Sequence, residues 1–406
     1  MQQNRLHLLS SKRFLPLFTT QFLGAFNDNI FKNALIFYIT YVVIDQSSVD
    51  SEILVTIAAG IFVLPFFLFS STAGQVADKW NKAKLISIIK LVEIPLIIGA
   101  ASAFLLESIT LLLMMLFLMG VQSTFFGPLK YGILPDQLPK NELIEGNALI
   151  EAGTFLAILA GTILGGLMIL ANNGATLVAI AMIVIAVAGW LASLFIPSTP
   201  ARNPEIKIGL KIWSDTQALL QHIQEDKIIF RSILGISWFW LIGATYLSQL
   251  PTFSKNIIGG NEQVVTLLLI IFSVGIAIGS LLCNKLLKQE IAATYTPVGI
   301  LGVTLFSVDL FFAAGQINPA ENAVSIGVVE YLPTFTHWRI LLDLLGIAIC
   351  GGIFIVPLYA IIQDRAETSH RSRVFAGNNI INALFMVIAA VAISLMYYSK
   401  FSVTDC

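Results

Sequence analysis

The sequence predicts an all-α polytopic membrane protein, and three observations support this fold class. Of the 406 residues, 57% are hydrophobic and 12% are charged, whereas soluble domains have a charged fraction of about a quarter. The hydrophobic residues form runs of about 20 or more, long enough for a helix to cross the hydrocarbon core of a bilayer. The two parts of the chain also resemble each other. Together these features exclude a soluble fold.

Eleven hydrophobic segments are long enough to be membrane spans. The first is too long for a signal peptide and lacks a small-residue cleavage site, so we predict an uncleaved first helix. The segments lie near residues 14–41, 53–77, 84–106, 108–135, 143–171, 175–197, 229–256, 263–287, 293–314, 336–362 and 374–398.

Lysine and arginine are concentrated in alternate loops, which predicts the side of the membrane on which each loop lies. The loops after the second, fourth, sixth, eighth and tenth segments are basic, whereas residues 45–50 and 316–333 contain neither lysine nor arginine. Lys255 and Lys400 are the exceptions. Because basic loops stay in the cytoplasm, the N-terminus is predicted to be cytoplasmic.

One long connection divides the chain into two similar parts. Residues 198–228 contain a short amphipathic stretch and form a cytoplasmic linker, which separates a six-helix bundle, residues 1–197, from an incomplete bundle of five spans, residues 229–406. Pro128, near the end of the fourth segment, corresponds to Pro357, near the end of the tenth. The two parts are therefore predicted to be copies of one unit.

The fifth and eleventh segments support the same repeat. Asn147 and Glu151 in the fifth correspond to Asn378 and Asn382 in the eleventh. Because both copies start on the same side, the repeats are parallel, as in the major facilitator fold. That fold has two parallel six-helix repeats, so the sequence predicts a twelfth span beyond Cys406.

The first segment carries a stripe of polar residues. Asp28 falls near the bilayer midplane, where a charge costs about 2.5 to 3.5 kcal/mol even on lenient scales, so such groups normally face a protein interior. Gln21, Ala25, Asp28 and Lys32 share one helical face, and Asp28 and Lys32 have the i, i+4 spacing that favours an ion pair. This stripe is predicted to line a central polar cavity.

The alternative is a self-neutralising pair that only helps two helices to pack. The neighbouring amides Asn27, Asn29 and Asn33 argue against it, because each needs a hydrogen-bond partner in hydrocarbon. We therefore predict that Asp28, Lys32, Asn27 and Asn29 contact substrate.

The repeated polar positions extend the predicted substrate site to the fifth and eleventh segments. Asn147 and Glu151 lie on one helical face, and their repeat-mates Asn378 and Asn382 supply the same positions without charge. The first part of the chain is therefore predicted to carry the ionic chemistry, and the second part to provide hydrogen bonds.

Lys130, near the end of the fourth segment, has two interpretations. Its side chain can extend to the membrane interface, about five residues away. Alternatively, Gly127 and Pro128 open the helix and form a pocket. Lys130 and Tyr131 are included in the predicted substrate site.

The loop after the second segment resembles a signature of the major facilitator superfamily, with a small residue, an aspartate and spaced basic residues. Gly74, Asp78, Lys79 and Lys82 are the predicted gating residues, because these charges can pair across the cytoplasmic helix ends and hold one of two rocking states. The alternative is ordinary positive-inside loop charge. Asn81 stands where the signature usually has glycine, so the turn must tolerate asparagine, which enters left-handed conformations.

Other charged residues inside the spans are predicted to be structural. Lys90 and Glu93 can satisfy each other, and Arg339 and Asp343 form a second i, i+4 pair, which leaves Asp309 unpaired. The three cysteines are far apart and form no metal or redox spacing.

Four motifs are considered together: Phe22-Leu23-x-Ala25-Phe26-x-Asp28-Asn29, Gly74-Gln75-Val76-Ala77-Asp78, Pro128-x-Lys130-Tyr131-Gly132-Ile133-Leu134 and Asn147-x-Leu149-x-Glu151-Ala152. In combination they resemble the bacterial lysophospholipid transporters of the major facilitator superfamily. The resemblance is closer still to the transporter part of fused proteins that also contain a phospholipid acyltransferase and an acyl-carrier-protein ligase.

The resemblance implies a flippase that moves lysophospholipids from the outer to the inner leaflet of the bacterial inner membrane, where they are reacylated. It implies roles in transport for Asp28 and Lys130, and acyltransferase and ligase domains fused downstream as partners. Relatives can have an arginine in the seventh span, but residues 243–247 at that place in this chain contain no arginine. We expect a monomer among membrane lipids, with no cofactor and no nucleic acid.

The predicted cavity is complementary to lysophosphatidylethanolamine. Asp28 or Glu151 can bind the ammonium group, and Lys32 or Lys130 the phosphate. Because moving the acyl chain into water would cost about 0.8 kcal/mol per CH2, the tail is expected to slide between helices while the headgroup crosses the cavity.

Three other functions are weighed against this one. A proton-coupled exporter of drugs or small solutes would use Asp28 or Glu151 as a titrating carboxyl. An acyltransferase would need a histidine and an aspartate separated by four residues, but His222 and Asp226 are separated by three. A structural anchor for downstream domains would tolerate loss of the Asp28 charge.

Overall fold

A computed structural model describes residues 7–42, 51–209, 211–317 and 326–403, and most of this chain is helical. The fourteen α-helices within these ranges are α1 (Leu15–Phe37), α2 (Ser51–Lys79), α3 (Lys82–Leu105), α4 (Ile109–Gly132), α5 (Leu134–Gln137), α6 (Leu143–Ile169), α7 (Gly174–Ser193), α8 (Ile212–Glu225), α9 (Lys227–Phe253), α10 (Glu262–Leu287), α11 (Thr296–Ala314), α12 (Val328–Tyr331), α13 (Phe335–Arg365) and α14 (Arg371–Tyr398).

Ten helices in the described ranges are long and apolar enough to cross a membrane, namely α2, α3, α4, α6, α7, α9, α10, α11, α13 and α14. Helix α1 has 23 residues, but its charged and amide side chains lower its hydropathy, and it is not among the ten. The eleven predicted segments correspond to these ten helices and α1. The predicted twelfth span, the loop at 45–50 and residues 318–325 of the segment at 316–333 lie outside the described residues.

Side-chain caps and prolines determine where several helices begin and end. The Asn81 side chain accepts a hydrogen bond of 3.1 Å from the Lys84 amide and caps the start of α3. Its φ is −59°, so the expectation of a left-handed turn at Asn81 is wrong; capping satisfies the first amides of α3 instead. Helix α4 ends at Gly132, three residues before the predicted end, because Pro135 opens the separate short helix α5.

The helices before the linker pack closely on one another. Helix α1 lies against α6 and α7, α3 lies against α4 and α7, and α2 lies against α4. Two glycines of α6 allow this approach: a Cβ atom at Gly161 would lie 2.7 Å from Cβ of Asn29, and one at Gly165 would lie 2.6 Å from the carbonyl oxygen of Ile30. Small residues therefore bring the α1 and α6 backbones together.

The helices after the linker form a second group. Helix α13 packs against α9, α10 and α11, and α14 packs against α9. A Cβ atom at Gly279 of α10 would lie 2.0 Å from the carbonyl oxygen of Ile349 in α13. Close backbone contact through small residues is thus common to both groups.

The two groups meet mainly where α14 packs against α2 and α4 and where α6 packs against α10 and α13, with smaller contacts of α13 on α4 and α5. One close approach involves Gly74, where a Cβ atom would lie 2.7 Å from Cβ of Ala376 and 2.8 Å from Cα of Arg373. This residue belongs to the predicted gating loop, so a side chain there would push α2 away from α14.

The linker lies across the ends of α2, α9 and α14, where α8 buries Leu219 and Ile223. The segment before α8 is held by Lys79, whose Nζ donates a 2.9 Å hydrogen bond to the carbonyl oxygen of Ile206. Gln75 Oε1 accepts a 2.6 Å hydrogen bond from the Gly209 amide. The division into bundles at residues 1–197 and 229–406 stays a prediction.

Candidate functional site

Asp28 and Lys32 are both half-buried on one face of α1. The Ser123 hydroxyl of α4 donates a 2.8 Å hydrogen bond to Oδ2 of Asp28. The Lys32 ammonium lies 4.5 Å from the centroid of the Phe62 ring. The predicted i, i+4 spacing is present, but Asp28 and Lys32 do not form an ion pair among the described residues. Each charged group can therefore bind another partner.

The position of Ser123 shows that Asp28 lies towards the second group of helices rather than towards lipid. Ser123, Gly127 and Lys130 are four and then three residues apart, so they share one face of α4. At Gly127 this face reaches α14, because a Cβ atom there would lie 2.5 Å from the Asn379 amide nitrogen. Asp28 therefore faces the region between the two helix groups.

A second chain of contacts connects α1, α4 and α6. The half-buried Lys130 donates a 3.5 Å hydrogen bond to Oγ1 of Thr154, and the Thr154 hydroxyl lies 3.1 Å from Oε1 of Gln21. The Lys130 ammonium also lies 4.6 Å from the centroid of the Tyr131 ring. We use the name polar seam for the residues of these two chains of contacts: Gln21, Asp28, Lys32, Ser123, Lys130 and Thr154.

Glu151 and Tyr131 lie next to the polar seam but are sealed. Glu151 has no exposed surface, and its Oε1 accepts a short hydrogen bond from the Tyr131 hydroxyl. Its other oxygen, Oε2, has no hydrogen-bond partner in the described part of the chain. Tyr131 stacks on Tyr359 of α13, with ring centroids 4.2 Å apart, and on Phe375 of α14 at 5.4 Å. This aromatic stack joins the two helix groups.

Asn147 was predicted to contact substrate, but the structure places it in a closed contact. Its Nδ2 donates a 2.6 Å hydrogen bond to Oε1 of Gln363, and Gln363 Nε2 returns one of 3.1 Å to Asn147 Oδ1. Both side chains have no exposed surface. Asn147 therefore holds α6 to α13 in this conformation and does not line the polar seam.

The other predicted amides are distributed between the seam region and packing contacts. Asn29 donates a 2.7 Å hydrogen bond to the Ala25 carbonyl oxygen and packs on Gly161, so it faces α6. Asn378 is buried, and its side chain lies next to the Tyr359 hydroxyl rather than in the seam. Asn382 is half-buried and accepts a 2.7 Å hydrogen bond from the Ser237 hydroxyl of α9.

Three of the four predicted gating residues, Gly74, Asp78 and Lys82, lie in a dense contact between α2, α3 and α14. Asp78 accepts a 3.0 Å hydrogen bond from the Ser372 amide and 3.3 Å hydrogen bonds from the amide and Nε of Arg373. These amides are at the start of α14, where the helix dipole favours an anion. Gly74 permits this approach, whereas Lys79 binds the linker instead.

Asp136 of α5 completes this contact, although the sequence analysis did not select it. Its buried carboxylate lies 3.0 Å from Nζ of Lys82, 2.6 Å from Nη2 of Arg202 and 3.7 Å from Nη1 of Arg371. The sequence offers only a weak signal for this role, because Asp136 follows Pro135 in a short turn while its three cations lie far apart along the chain. We use the name latch for the residues that join the groups at this end: Asp78, Asp136, Asn147, Gln363, Arg371, Ser372 and Arg373.

His370 lies at the edge of the latch, just before α14 begins. Its ring centroid is 4.9 Å from that of His222 in α8, and its Nδ1 lies 3.3 Å from Oε2 of Glu367. Burial, together with Arg373 and His222, lowers the pKa of His370. The same environment thus favours the neutral imidazole.

One predicted ion pair is wrong and another is confirmed. Arg339 pairs with Asp309 of α11 rather than with Asp343 one turn away, because α11 packs against α13 and brings that carboxylate closer. Lys90 and Glu93 do contact each other. In the part of the chain that the structure describes, no group of three or more histidine, cysteine or acidic residues could hold a metal ion.

Comparison with known proteins agrees with this architecture. Residues 17–390 match the sequence model of the Major Facilitator Superfamily. Two similar proteins are named Lysophospholipid transporter LplT. That of Serratia proteamaculans (strain 568) is 28% identical over 92% of this chain and 84% of its own length. The protein of that name from Citrobacter koseri is 31% identical over 91% of this chain and 83% of its own length.

Solved structures with little sequence identity share the fold. The transporter FucP, in the outward conformation, superposes with a TM-score of 0.71 at 11% identity, over 96% of this chain and 93% of FucP. The human organic anion transporter MFSD10 (TETRAN) superposes with a TM-score of 0.69 at 14% identity, over 95% of this chain and 94% of MFSD10. This chain therefore belongs to the Major Facilitator Superfamily of transporters, and within it to the family of bacterial proteins named Lysophospholipid transporter LplT.

Proposed function

We propose that this protein transports lysophospholipids from the outer to the inner leaflet of the bacterial inner membrane. The observation that carries the proposal is the half-buried placement of Asp28 and Lys130 on faces of α1 and α4 that lie towards the second helix group. A transport site between two rocking groups needs polar groups that are reachable and only partly satisfied. The names of the similar proteins supply the class of cargo.

The polar seam is chemically complementary to a phosphoethanolamine headgroup. Asp28 has one hydrogen bond from Ser123, so its carboxylate can accept further bonds from an ammonium group. Lys32 and Lys130 contact aromatic rings rather than carboxylates, so both can bind a phosphate by charge-assisted hydrogen bonds. The acyl chain stays among apolar side chains and lipid, which avoids transferring its methylene groups into water.

The latch supplies the other requirement of alternating access, a conformation closed at one end. We place this end in the cytoplasm, because the basic loops surround it. Release of a lysolipid into the inner leaflet then requires the latch to open. The acyltransferase and acyl-carrier-protein ligase that reacylate the product are expected as fused or separate partners, and the transporter unit acts as a monomer.

The decisive variant is Asp28→Asn, which keeps the shape and an oxygen that can accept the Ser123 hydrogen bond but removes the charge. We expect uptake of radiolabelled lysophosphatidylethanolamine into spheroplasts to fall at least about tenfold, since a charge-assisted hydrogen bond contributes about 1.5–3 kcal/mol and about 1.4 kcal/mol is tenfold. Membrane abundance should stay at the wild-type level.

The matched control is Glu290→Gln, which removes the same charge from an exposed loop after α10. It should transport like wild type. Wild-type uptake by Asp28→Asn, or a wild-type protein that takes up no lysolipid, would contradict the proposal.

One observation favours the alternative function, a proton-coupled exporter of drugs or small solutes. The Glu151 oxygen Oε2 has no hydrogen-bond partner among the described residues, as expected of a buried carboxyl that gains and loses a proton. Under this alternative, a pH gradient would drive transport of a water-soluble cation in proteoliposomes, Glu151→Gln would abolish it, and lysolipid would have no effect.

A further inference from the structure

A charged pair lies directly behind the polar seam, and the proposed transport cycle does not use it. Lys90 and Glu93 are on α3, with side chains only 1% and 2% exposed, and the ammonium group contacts the carboxylate. A buried ion pair is expensive, and apolar residues of similar volume often give equal or greater stability. Helix packing alone therefore does not account for this pair.

The helices around Lys90 leave space for its side chain. A Cβ atom at Gly24 of α1 would lie 2.8 Å from the Lys90 ammonium nitrogen, and one at Gly189 of α7 would lie 3.3 Å from Cε of Lys90. The ammonium also lies 5.7 Å from the centroid of the Phe126 ring in α4. Lys90 thus occupies the junction of α1, α3, α4 and α7, and two glycines make room for it.

The Glu93 carboxylate binds more than its lysine. Oε2 accepts a 2.8 Å hydrogen bond from Nε2 of Gln122 in α4, and Oε1 accepts a 3.4 Å hydrogen bond from Nδ2 of Asn27 in α1. Both amide side chains are buried. Glu93 therefore fixes one side chain on each of the two helices that form the Asp28 face of the polar seam.

The fixed residues are the immediate neighbours of the seam. Asn27 precedes Asp28 on α1, and Gln122 precedes Ser123 on α4, whose hydroxyl donates to Asp28. The charges of Glu93 and Lys90 both act on Asp28 as well. A rotation of either helix by a few degrees would change the distance between Ser123 and Asp28.

We propose that Lys90 and Glu93 are a positioning pair, which holds the Asp28 face of the seam through Asn27 and Gln122 and sets the charge balance that a lipid headgroup meets there. The inference rests on the proposed lysophospholipid transport. Lys90 and Glu93 do not touch the headgroup. They act through the two amides and through their opposite charges.

If the pair sets the charge balance, single substitutions should change which lipid is preferred. A pair with a purely structural role would not change this preference. Glu93→Gln leaves the Lys90 charge unbalanced near the seam, which favours the anionic lysophosphatidylglycerol over the zwitterionic lysophosphatidylethanolamine. Lys90→Met leaves the Glu93 charge unbalanced and shifts the uptake ratio the opposite way. A role in packing alone lowers uptake of both lipids equally.

Single variants can lower membrane abundance, because each leaves one buried charge without a partner. The double variant Lys90→Met/Glu93→Gln removes both charges and tests positioning in a folded protein. We expect wild-type abundance, a KM for lysophosphatidylethanolamine raised about tenfold, and a maximal rate within about twofold of wild type, as expected for weakened binding without a slower transport step. The variant Arg13→Gln/Glu142→Gln, which removes an ion pair away from the seam, should keep the wild-type KM and uptake ratio.

A wild-type KM in the folded double variant would overturn the proposal, and so would single variants that shift the uptake ratio in the same direction. If the wild-type protein carries no lysolipid, the transport proposal fails, and positioning is then measured by labelling. Ala25→Cys places a thiol on the polar stripe, in a protein whose own cysteines are replaced by alanine. A labelling rate changed several-fold by the double variant supports the positioning pair, and an unchanged rate contradicts it.

Discussion

The polar seam and the latch are both polar regions between helices, but they differ in how fully their charges are satisfied. In the latch, Asp136 is surrounded by three cations and Asp78 accepts hydrogen bonds from the start of α14. In the seam, Asp28 has one hydroxyl donor and Lys32 lies over a ring. The latch residues are mostly buried, whereas Asp28, Lys32 and Lys130 are half-buried.

This difference separates a region that holds a conformation from one that binds a ligand. A satisfied carboxylate resists separation of the helices that it joins, because separation leaves a desolvated charge without partners. A partly satisfied carboxylate has capacity for the hydrogen bonds of an incoming headgroup. Variants in the latch should therefore change stability first, and variants in the seam should change transport first.

The largest loss of stability is expected from Asp136→Asn. The substitution leaves Lys82, Arg202 and Arg371 without their shared anion, and removing one partner from a buried ion pair costs about 3–5 kcal/mol. The thermal midpoint of the purified protein should fall by several degrees. Asp364→Asn is the matched control, because the partner of Asp364, Lys140, has a side chain that is 69% exposed. Equal destabilisation by both variants would contradict the central position of Asp136 in the latch.

A smaller loss is expected at the amide pair of the latch. Asn147→Ala and Gln363→Ala each break the reciprocal hydrogen bonds of 2.6 and 3.1 Å. A double-mutant cycle should give a coupling energy of about 1–2 kcal/mol, as expected for two neutral hydrogen bonds in a buried site. Additive effects would show that the two amides do not act together, and would return Asn147 to the substrate site predicted from the sequence.

A pH dependence is expected at the edge of the latch, where burial, Arg373 and His222 lower the pKa of His370, against the opposing influence of Glu367 and Asp78. The folded state binds the proton less tightly than the unfolded state does. The contribution of neutral His370 to the free energy of unfolding should therefore be fully present above the unfolded pKa of about 6.5, and it should be lost as the pH falls through the lower folded value. When the thermal midpoint is measured between pH 5 and 8, its fall towards acid pH should be smaller for His370→Gln than for the wild-type protein. An equal fall of the midpoint at acid pH in both proteins would contradict this role of His370.

The sequence predicted the helices of the fold and singled out the three charged residues of the seam, because a charge inside a hydrophobic run is visible without coordinates. Asp28, Lys32 and Lys130 lie in the seam, and Asp78 lies in the latch, while their roles in transport and gating stay predictions. The orientation of the amides was not predictable in the same way. Asn27, Asn29 and Asn33 are close in sequence, but Asn27 binds Glu93 of α3 while Asn33 binds Thr162 of α6.

Partners on other helices account for the remaining differences. Asp136 was not recognised because its cations come from α3, the linker and α14, far apart in sequence. The spacing of Lys90 and Glu93 indicated an ion pair, but not that Gln122 and Asn27 join it. Helical periodicity defines the face on which a residue lies, and helix packing determines what that face contacts.

The smallest effect is expected from Asp309→Asn, which breaks the ion pair that the sequence analysis assigned wrongly. Arg339 and Asp309 are partly exposed, with side chains 29% and 44% accessible, and exposed ion pairs contribute little. Asp343 is one turn from Arg339 on α13 and can take over as its partner, so neither the thermal midpoint nor lysolipid uptake should change measurably. Asp343→Asn in the same background removes this second partner and should then lower the midpoint. A large loss of uptake by Asp309→Asn alone would show that the second helix group also contributes a charge to transport, and that the ionic chemistry is not confined to the first.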